Sequence, residues 1–154
     1  MTTEPILTLH ASAPRRAIAC LVVGFLGLLL LSIAFFQPPA PVLQFVLLVL
    51  GAGAIWAAET MRRATALAIV LTEEGLFETS GRRIASMENI VAVQRGPFAF
   101  KPSNGFSIVL AEKGPGAWAP GLWWRLGRRV GIGGVTAKPV ATAMAEEISR
   151  RIRH

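Results

Sequence analysis

Three tryptophans and three arginines fall within the twelve residues 118–129: Trp118, Trp123, Trp124, Arg125, Arg128 and Arg129. Glycine and proline flank them, so the segment reads as a loop. The chemistry such residues offer is recognition. A tryptophan ring is apolar but its N–H still needs a partner, which suits a membrane–water interface. An arginine guanidinium is a weakly hydrated, delocalised cation that matches phosphate or carboxylate. Together they would press onto anionic headgroups, or form the energetic centre of a contact with another protein, where Trp and Arg dominate. The plain alternative is that one or two of the tryptophans fill the core of a small domain while Arg128 and Arg129 lie on a solvated strand face. The run of glycines from 127 to 134 lacks both the Gly-Lys-Ser/Thr ending and the G-x-G-x-x-G spacing of a phosphate loop.

Elsewhere the residues that carry catalysis are scarce. The chain of 154 residues has two histidines, His10 and His154, one cysteine, Cys20, and no aspartate. No Cys/His set has the spacing of a zinc site, and a lone cysteine makes no intramolecular disulfide. Of the glutamates, Glu73 and Glu74 read as a turn, Glu146 and Glu147 as a helix surface, and Glu78, Glu88 and Glu112 as isolated. This inventory argues against a hydrolase, a metalloenzyme or a phosphotransferase. The expectation is a protein without catalysis and without a cofactor.

The elements that must position the loop begin with two apolar runs, residues 17–36 and 42–58, neither containing a charge. Twenty helical residues rise about 30 Å, the hydrocarbon thickness of a bilayer. The second run extends toward Met61 if Glu59 snorkels to the headgroups. Only Gln37-Pro-Pro-Ala-Pro41 separates them, which predicts a tight reversal. A soluble core hairpin would carry polar residues at helical spacing on its outer face, and only Ser32 and Gln44 interrupt these runs. A cleaved signal peptide would have a shorter apolar stretch followed by Ala-x-Ala. The reading is a transmembrane helical hairpin over 17–61, with spans of about 17–36 and 42–59.

Arg15 and Arg16 precede the first span, Arg62 and Arg63 follow the second, and the turn is uncharged. Basic flanks stay on the cytoplasmic side. The expectation is a multi-pass protein of a bacterial inner membrane with both termini cytoplasmic, residues 1–16 forming a tail and 62–154 one small domain. That domain holds fourteen Lys and Arg against seven Glu, which accounts for the net charge of +7. Beside a bilayer, basic charge has a ready counterpart in anionic lipid. Nucleic acid is the competing partner, but the chain has no Tyr and the domain's tryptophans sit in one loop, so no nucleic-acid partner is expected.

Within 62–154 the pattern changes to short strands with turn signals. Strands are expected at 66–72, 76–79, 83–86, 90–95, 106–111 and 129–132, with a turn of helix at 86–89 and a Gly/Pro/Trp-rich connection before 129. A helix over 137–152 closes the chain. Thr136 is its expected N-cap, Pro139 is tolerable in its first turn, and Val140, Met144, Ile148 and Ile152 form an apolar stripe. Glu146–Arg150 and Glu147–Arg151 are expected as i,i+4 pairs. The fold class is therefore a membrane α-hairpin plus a small α+β domain, a bent antiparallel sheet or barrel capped by one C-terminal helix.

The string over 71–93, LTEEGLFETSGRRIASMENIVAV, resembles the opening of bacterial pleckstrin-homology-like (PH-like) domains: strand, glycine turn, return strand, second hairpin, local turn, then Ile-x-x-Val. A membrane hairpin before such a domain is also similar to a group of small bacterial membrane proteins. The resemblance covers roughly 64–153 and implies a bent seven-strand sheet with a C-terminal helix, acting as a binding module. Phosphoinositide-binding members of the wider superfamily place Lys and Arg in the first hairpin. Here that turn is Thr72-Glu-Glu-Gly75, so a stereospecific phosphoinositide pocket is not expected there.

Two smaller features complete the reading. Gly24 and Gly27 in the first span, with Gly51 and Gly53 in the second, would let the helices approach closely. Phe98, Phe100 and Lys101 belong to a hairpin tip that either dips into the interface or folds over the core. The functional expectation is an accessory, scaffold or assembly factor that binds a membrane-protein partner. Its alternative is a sensor of anionic lipid working through residues 118–129.

Overall fold

Residues 13–64 fold into two antiparallel helices, α1 (Ala13–Phe36) and α2 (Pro41–Ala64), in a computed structural model that describes residues 4–96 and 101–154. Each has 24 residues, long and apolar enough to cross a membrane. Proline opens both helices, where its missing N–H costs nothing. Most of their apolar side chains point outward: Leu21, Phe25, Phe36, Val42, Phe45 and Trp56 are all exposed. A core helix of a soluble protein would bury such a face.

The helices cross where Gly27 faces Gly51. A Cβ on Gly27 would stand 2.9 Å from the Gly51 carbonyl oxygen and from Ile55, and one on Gly51 would meet Leu31 at 2.8 Å. Gly24 faces Ala58 at ordinary contact distance and Gly53 faces open space, so two of the four glycines make the close approach. At the far end the Gln44 side-chain amide donates to the Ala34 carbonyl at 3.0 Å and ties the turn.

The hairpin is inserted inside a sheet. Strand β1 (Leu7–His10) precedes it and β2 (Ala68–Thr72) follows it, and the two pair antiparallel from Leu7↔Leu71 to His10↔Ala68. Residues 7–10, read from sequence as part of a tail, thus supply an edge strand, with Leu9 fully buried. A segment of four residues is too short to show period-2 alternation. Next come β3 (Gly75–Glu78) and β4 (Arg83–Ser86), giving a four-stranded sheet in the order β1-β2-β3-β4. Gly75 has φ +148, and a Cβ there would overlap the Ala85 carbonyl, so the β2–β3 turn requires glycine.

A single 3₁₀ turn, Met87–Asn89, leads into the second sheet, β5 (Ile90–Gln94), β6 (Phe106–Ala119) and β7 (Trp123–Ile132). Residues 112–128, expected as an irregular connection, instead extend β6 and β7 into one long hairpin. It folds back on itself at the paired glycines Gly114 and Gly127, the latter with φ +61. The two ends of β7 consequently meet: the Gly133 amide donates to the Leu122 carbonyl at 2.8 Å. Glycine and proline there mark a corner in the strands, a use of these residues that sequence alone does not separate from a loop.

Helix α3 (Lys138–Arg151) packs on β1 of the first sheet and on β5 and β6 of the second. Its stripe holds: Met144 and Ile148 are fully buried, Val140 and Ile152 partly, with Ala141 and Ala145 beside them. The core joins Leu9, Ile69, Leu71, Leu76, Ile84, Ile108 and Ile132 from both sheets. Fully burying each such side chain contributes about 1.5–3 kcal/mol. Thr136 is not the N-cap. Ala137 holds that position without a side-chain cap, because the Thr136 hydroxyl donates to the Asn104 carbonyl at 3.2 Å. On the outer face Glu147 pairs with both Arg150 and Arg151, while Glu146 turns to Arg95 at 3.2 Å. Phe98 and Phe100 lie outside the described residues; Lys101 is half-buried, its ammonium donating to the Gly105 carbonyl.

Candidate functional site

Alternation along β7 divides the six candidate residues between two faces. Trp123 and Arg125 point inward, Trp124 outward, and Trp118 stands directly across from Trp124 in the β6–β7 register. They do not form one cluster.

Trp123 is a core residue, 1% exposed. Its indole Nε1 donates to Glu78 Oε2 at 2.7 Å. Glu78 is itself 4% exposed and accepts two further bonds, from the Ser80 hydroxyl at 2.6 Å and from Arg82 Nη2 at 3.0 Å. Burial pushes the Glu78 carboxyl up, but these three donors outweigh it and hold the group below the ordinary carboxylate range. The Arg82 and Arg125 guanidiniums lie over the Trp123 ring, 4.8 and 5.9 Å from its centroid. Arg125 also donates to two carbonyls, Pro115 at 2.7 Å and Ile84 at 2.8 Å. Glu78 is thus far from isolated. It is the hub of a network linking β3, the β3–β4 turn and β7, and its lone pairs are committed to structure. No signal in the linear sequence pairs Glu78 with Trp123, because 45 residues separate them.

The outward residues differ. Trp118 is 64% exposed, and Leu126, which sequence reasoning passed over, is 72% exposed. Trp124 is half-buried, its indole lying so close over Gly131 that a Cβ there would overlap it. Arg128 and Arg129 are exposed, and Arg129 reaches Gln94 Oε1 at 3.4 Å. Trp118, the rim of Trp124 and Leu126 therefore make an apolar ridge on the outside of the bent hairpin.

That ridge is held at a set place relative to the helices. The β6–β7 turn abuts the end of α2, since a Cβ on Gly121 would meet Thr65 at 3.0 Å and Met61 at 3.5 Å. At the start of α1, Arg16 donates to the Thr65 hydroxyl and to the Arg62 carbonyl, both at 2.9 Å, and Arg15 donates to the Thr136 carbonyl at 3.0 Å. The Ser12 amide donates to the Val135 carbonyl at 2.6 Å. Arginines predicted to set orientation also clamp the helix bases to the sheet domain.

Among the described residues no group of three His, Cys, Asp or Glu is placed to hold a metal ion. Cys20 is a free thiol in α1. The chain matches no family model, no curated protein and no solved structure.

Proposed function

We propose that this chain is a non-enzymatic, membrane-anchored binding module of a bacterial inner membrane, whose PH-like domain presents the Trp118–Leu126 ridge to an integral membrane protein. The observation that carries the reading is the insertion of the helix pair between two hydrogen-bonded strands. A hairpin on a loose linker would let its domain tumble. Here both bases of the hairpin are joined to β1 and β2 and clamped by Arg15 and Arg16, so the ridge keeps a constant height and heading. Pre-ordering of this kind lowers the entropic cost of docking a partner that diffuses in the same bilayer.

Several features support the separate parts. The exposed apolar surface of α1 and α2 suits lipid, and a cleavable leader is a poor fit because removing it would separate β1 from the sheet. Both bases lie at the same end of the hairpin and carry Arg15, Arg16, Arg62 and Arg63, which favours a cytoplasmic sheet domain. Seven strands and a closing helix agree in number with the bent seven-strand sheet that the PH-like resemblance implies, with β1 contributed from before the hairpin. The acidic β2–β3 turn leaves that resemblance without a phosphoinositide site. An exposed tryptophan such as Trp118 is a residue type that protein contacts favour at their centres.

The test is site-specific photocrosslinking in intact membranes from positions 118 and 126. The expected result is one integral membrane protein crosslinked from both positions, and its loss from mild-detergent purifications of Trp118→Ala and Leu126→Ala chains that melt like wild type. Crosslinks to lipid alone would replace the partner with the bilayer surface and make the ridge an interfacial anchor.

A further inference from the structure

A second feature lies away from the tryptophans. Between α3 and the β5–β6 connection is a cavity of about 260 Å³. Arg95 from the end of β5, Lys101 and Asn104 from the connection, and Lys138 and Thr142 from the first turns of α3 line it. Two of the chain's three lysines are among them, and no carboxylate is. Three cations from separate segments line this one space, and an anion within it would be attracted by all of them. Arg95 already meets one acid, Glu146, at 3.2 Å, with both side chains largely exposed. That pair is weak in water and leaves the Arg95 guanidinium able to exchange it for another anion.

The helix adds to the field. The first turn of α3 carries no acidic residue and Ala137 offers no side-chain cap, so the positive end of its dipole is uncompensated beside Lys138. Thr142, whose hydroxyl donates to the Lys138 carbonyl at 2.9 Å, and Asn104, whose amide donates to the Gly134 carbonyl at 3.4 Å, complete the polar lining. The charges are of the kinds a phosphate uses: point charges from lysine and a planar fork from arginine.

Position selects the source of that phosphate. The Asn104 carbonyl accepts the Thr136 hydroxyl at 3.2 Å, and the Thr136 carbonyl accepts Arg15 Nη1 at 3.0 Å. Two hydrogen bonds therefore connect the rim of the cavity to the first turn of α1, where the chain enters the hairpin. We infer that this cavity binds the phosphate of an anionic phospholipid headgroup from the leaflet beside it, an inference that rests on the hairpin spanning the bilayer. The site is separate from the β2–β3 turn, whose Glu73 and Glu74 repel such a group. It makes the contact of the domain with the membrane sensitive to lipid composition, independently of what docks on the Trp118–Leu126 ridge.

The experiment uses the full chain in nanodiscs of phosphatidylcholine alone or of an equal mixture with phosphatidylglycerol. Lysine acylation is followed residue by residue by mass spectrometry. Anionic lipid is expected to slow labelling of Lys101 and Lys138 roughly fivefold while leaving Lys113, exposed on β6 outside the cavity, unchanged. Arg95→Gln should remove that protection at both lysines. Equal labelling in the two discs overturns the inference, as does slowing of Lys113 to the same degree, which is a general surface effect. Inorganic phosphate added to phosphatidylcholine discs separates the sources: protection equal to that by anionic lipid would make the ligand a soluble phosphate and overturn the lipid assignment. Failure of the chain to co-elute with discs of either kind is seen before any labelling, and it overturns the membrane reading along with the inference.

Discussion

Glu78 at the end of β3 and Trp123 at the start of β7 belong to different sheets, and a 2.7 Å hydrogen bond between their side chains joins them. Both are buried, so the bond is made where water cannot replace it. Ser80 and Arg82 complete the carboxylate's shell, and Arg82 and Arg125 lie over the indole. The largest buried side chain of the domain is thus pinned at the seam between its two sheets.

Replacing either partner should loosen that seam. Glu78→Gln puts an amide N–H₂ against donors and should cost about 3 kcal/mol. Trp123→Phe leaves the carboxylate one donor short and should cost about 2 kcal/mol. A double-mutant cycle by thermal melting of the detergent-solubilised chain should give the pair a coupling energy well above that of the exposed pair Arg95–Glu146, which is worth about 1 kcal/mol or less.

The same network sets a pH dependence. The folded Glu78 carboxyl is held below its unfolded value, because hydrogen bonds from Ser80, Trp123 and Arg82 outweigh the opposing effect of burial. The unfolded chain therefore binds the proton first. Its contribution is complete above the unfolded pKa of about 4.3 and is lost as pH falls through the lower folded value. Melting temperature should drop below about pH 4 in wild type and drop less steeply in Glu78→Gln. Glu147 is shifted the same way by Arg150 and Arg151 on the outer face of α3, and Glu147→Gln should change the profile less.

Strand β1 should prove part of the folded domain. Leu9 is fully buried among residues of both sheets, and Leu9→Ala should cost about 2–4 kcal/mol. His10→Ala, exposed at the end of the same strand, should cost little. If residues 4–11 were only a tail, the two substitutions would melt alike.

In the helix pair, Gly27→Leu should force the crossing apart and lower stability by about 1–3 kcal/mol, because a side chain there has nowhere to go between Gly51 and Ile55. Gly53→Leu, facing open space, should be tolerated. Thermal inactivation of the detergent-solubilised chain distinguishes the two.

Much of this architecture was legible along the chain. Two uncharged runs of helical length, the turn glycines, the alternation of Phe106, Ile108 and Leu110, and the i+4 stripe of α3 are periodic signals, and period is a local property. What failed was also local in origin. Four residues of β1 are too few to show a period. Gly114 and Gly127 looked like loop residues because a glycine that lets a strand turn a corner and one that ends a strand are written alike. The tryptophans looked like one site because sequence order places Trp123 next to Trp124, whereas strand pleating sends them to opposite faces.

Composition and period over ten to twenty residues settle burial and secondary structure, and they suffice for the two apolar helices, the strand-rich remainder, the closing helix and the arginines at both helix bases. Three relationships emerge first in the folded chain: the hairpin interrupts a sheet, Trp123 serves Glu78 while Trp118 and Leu126 face out, and Arg95, Lys101 and Lys138 line one cavity. Each of these joins residues tens of positions apart. Such contacts depend on how the sheets bend and pack, and no local pattern encodes them.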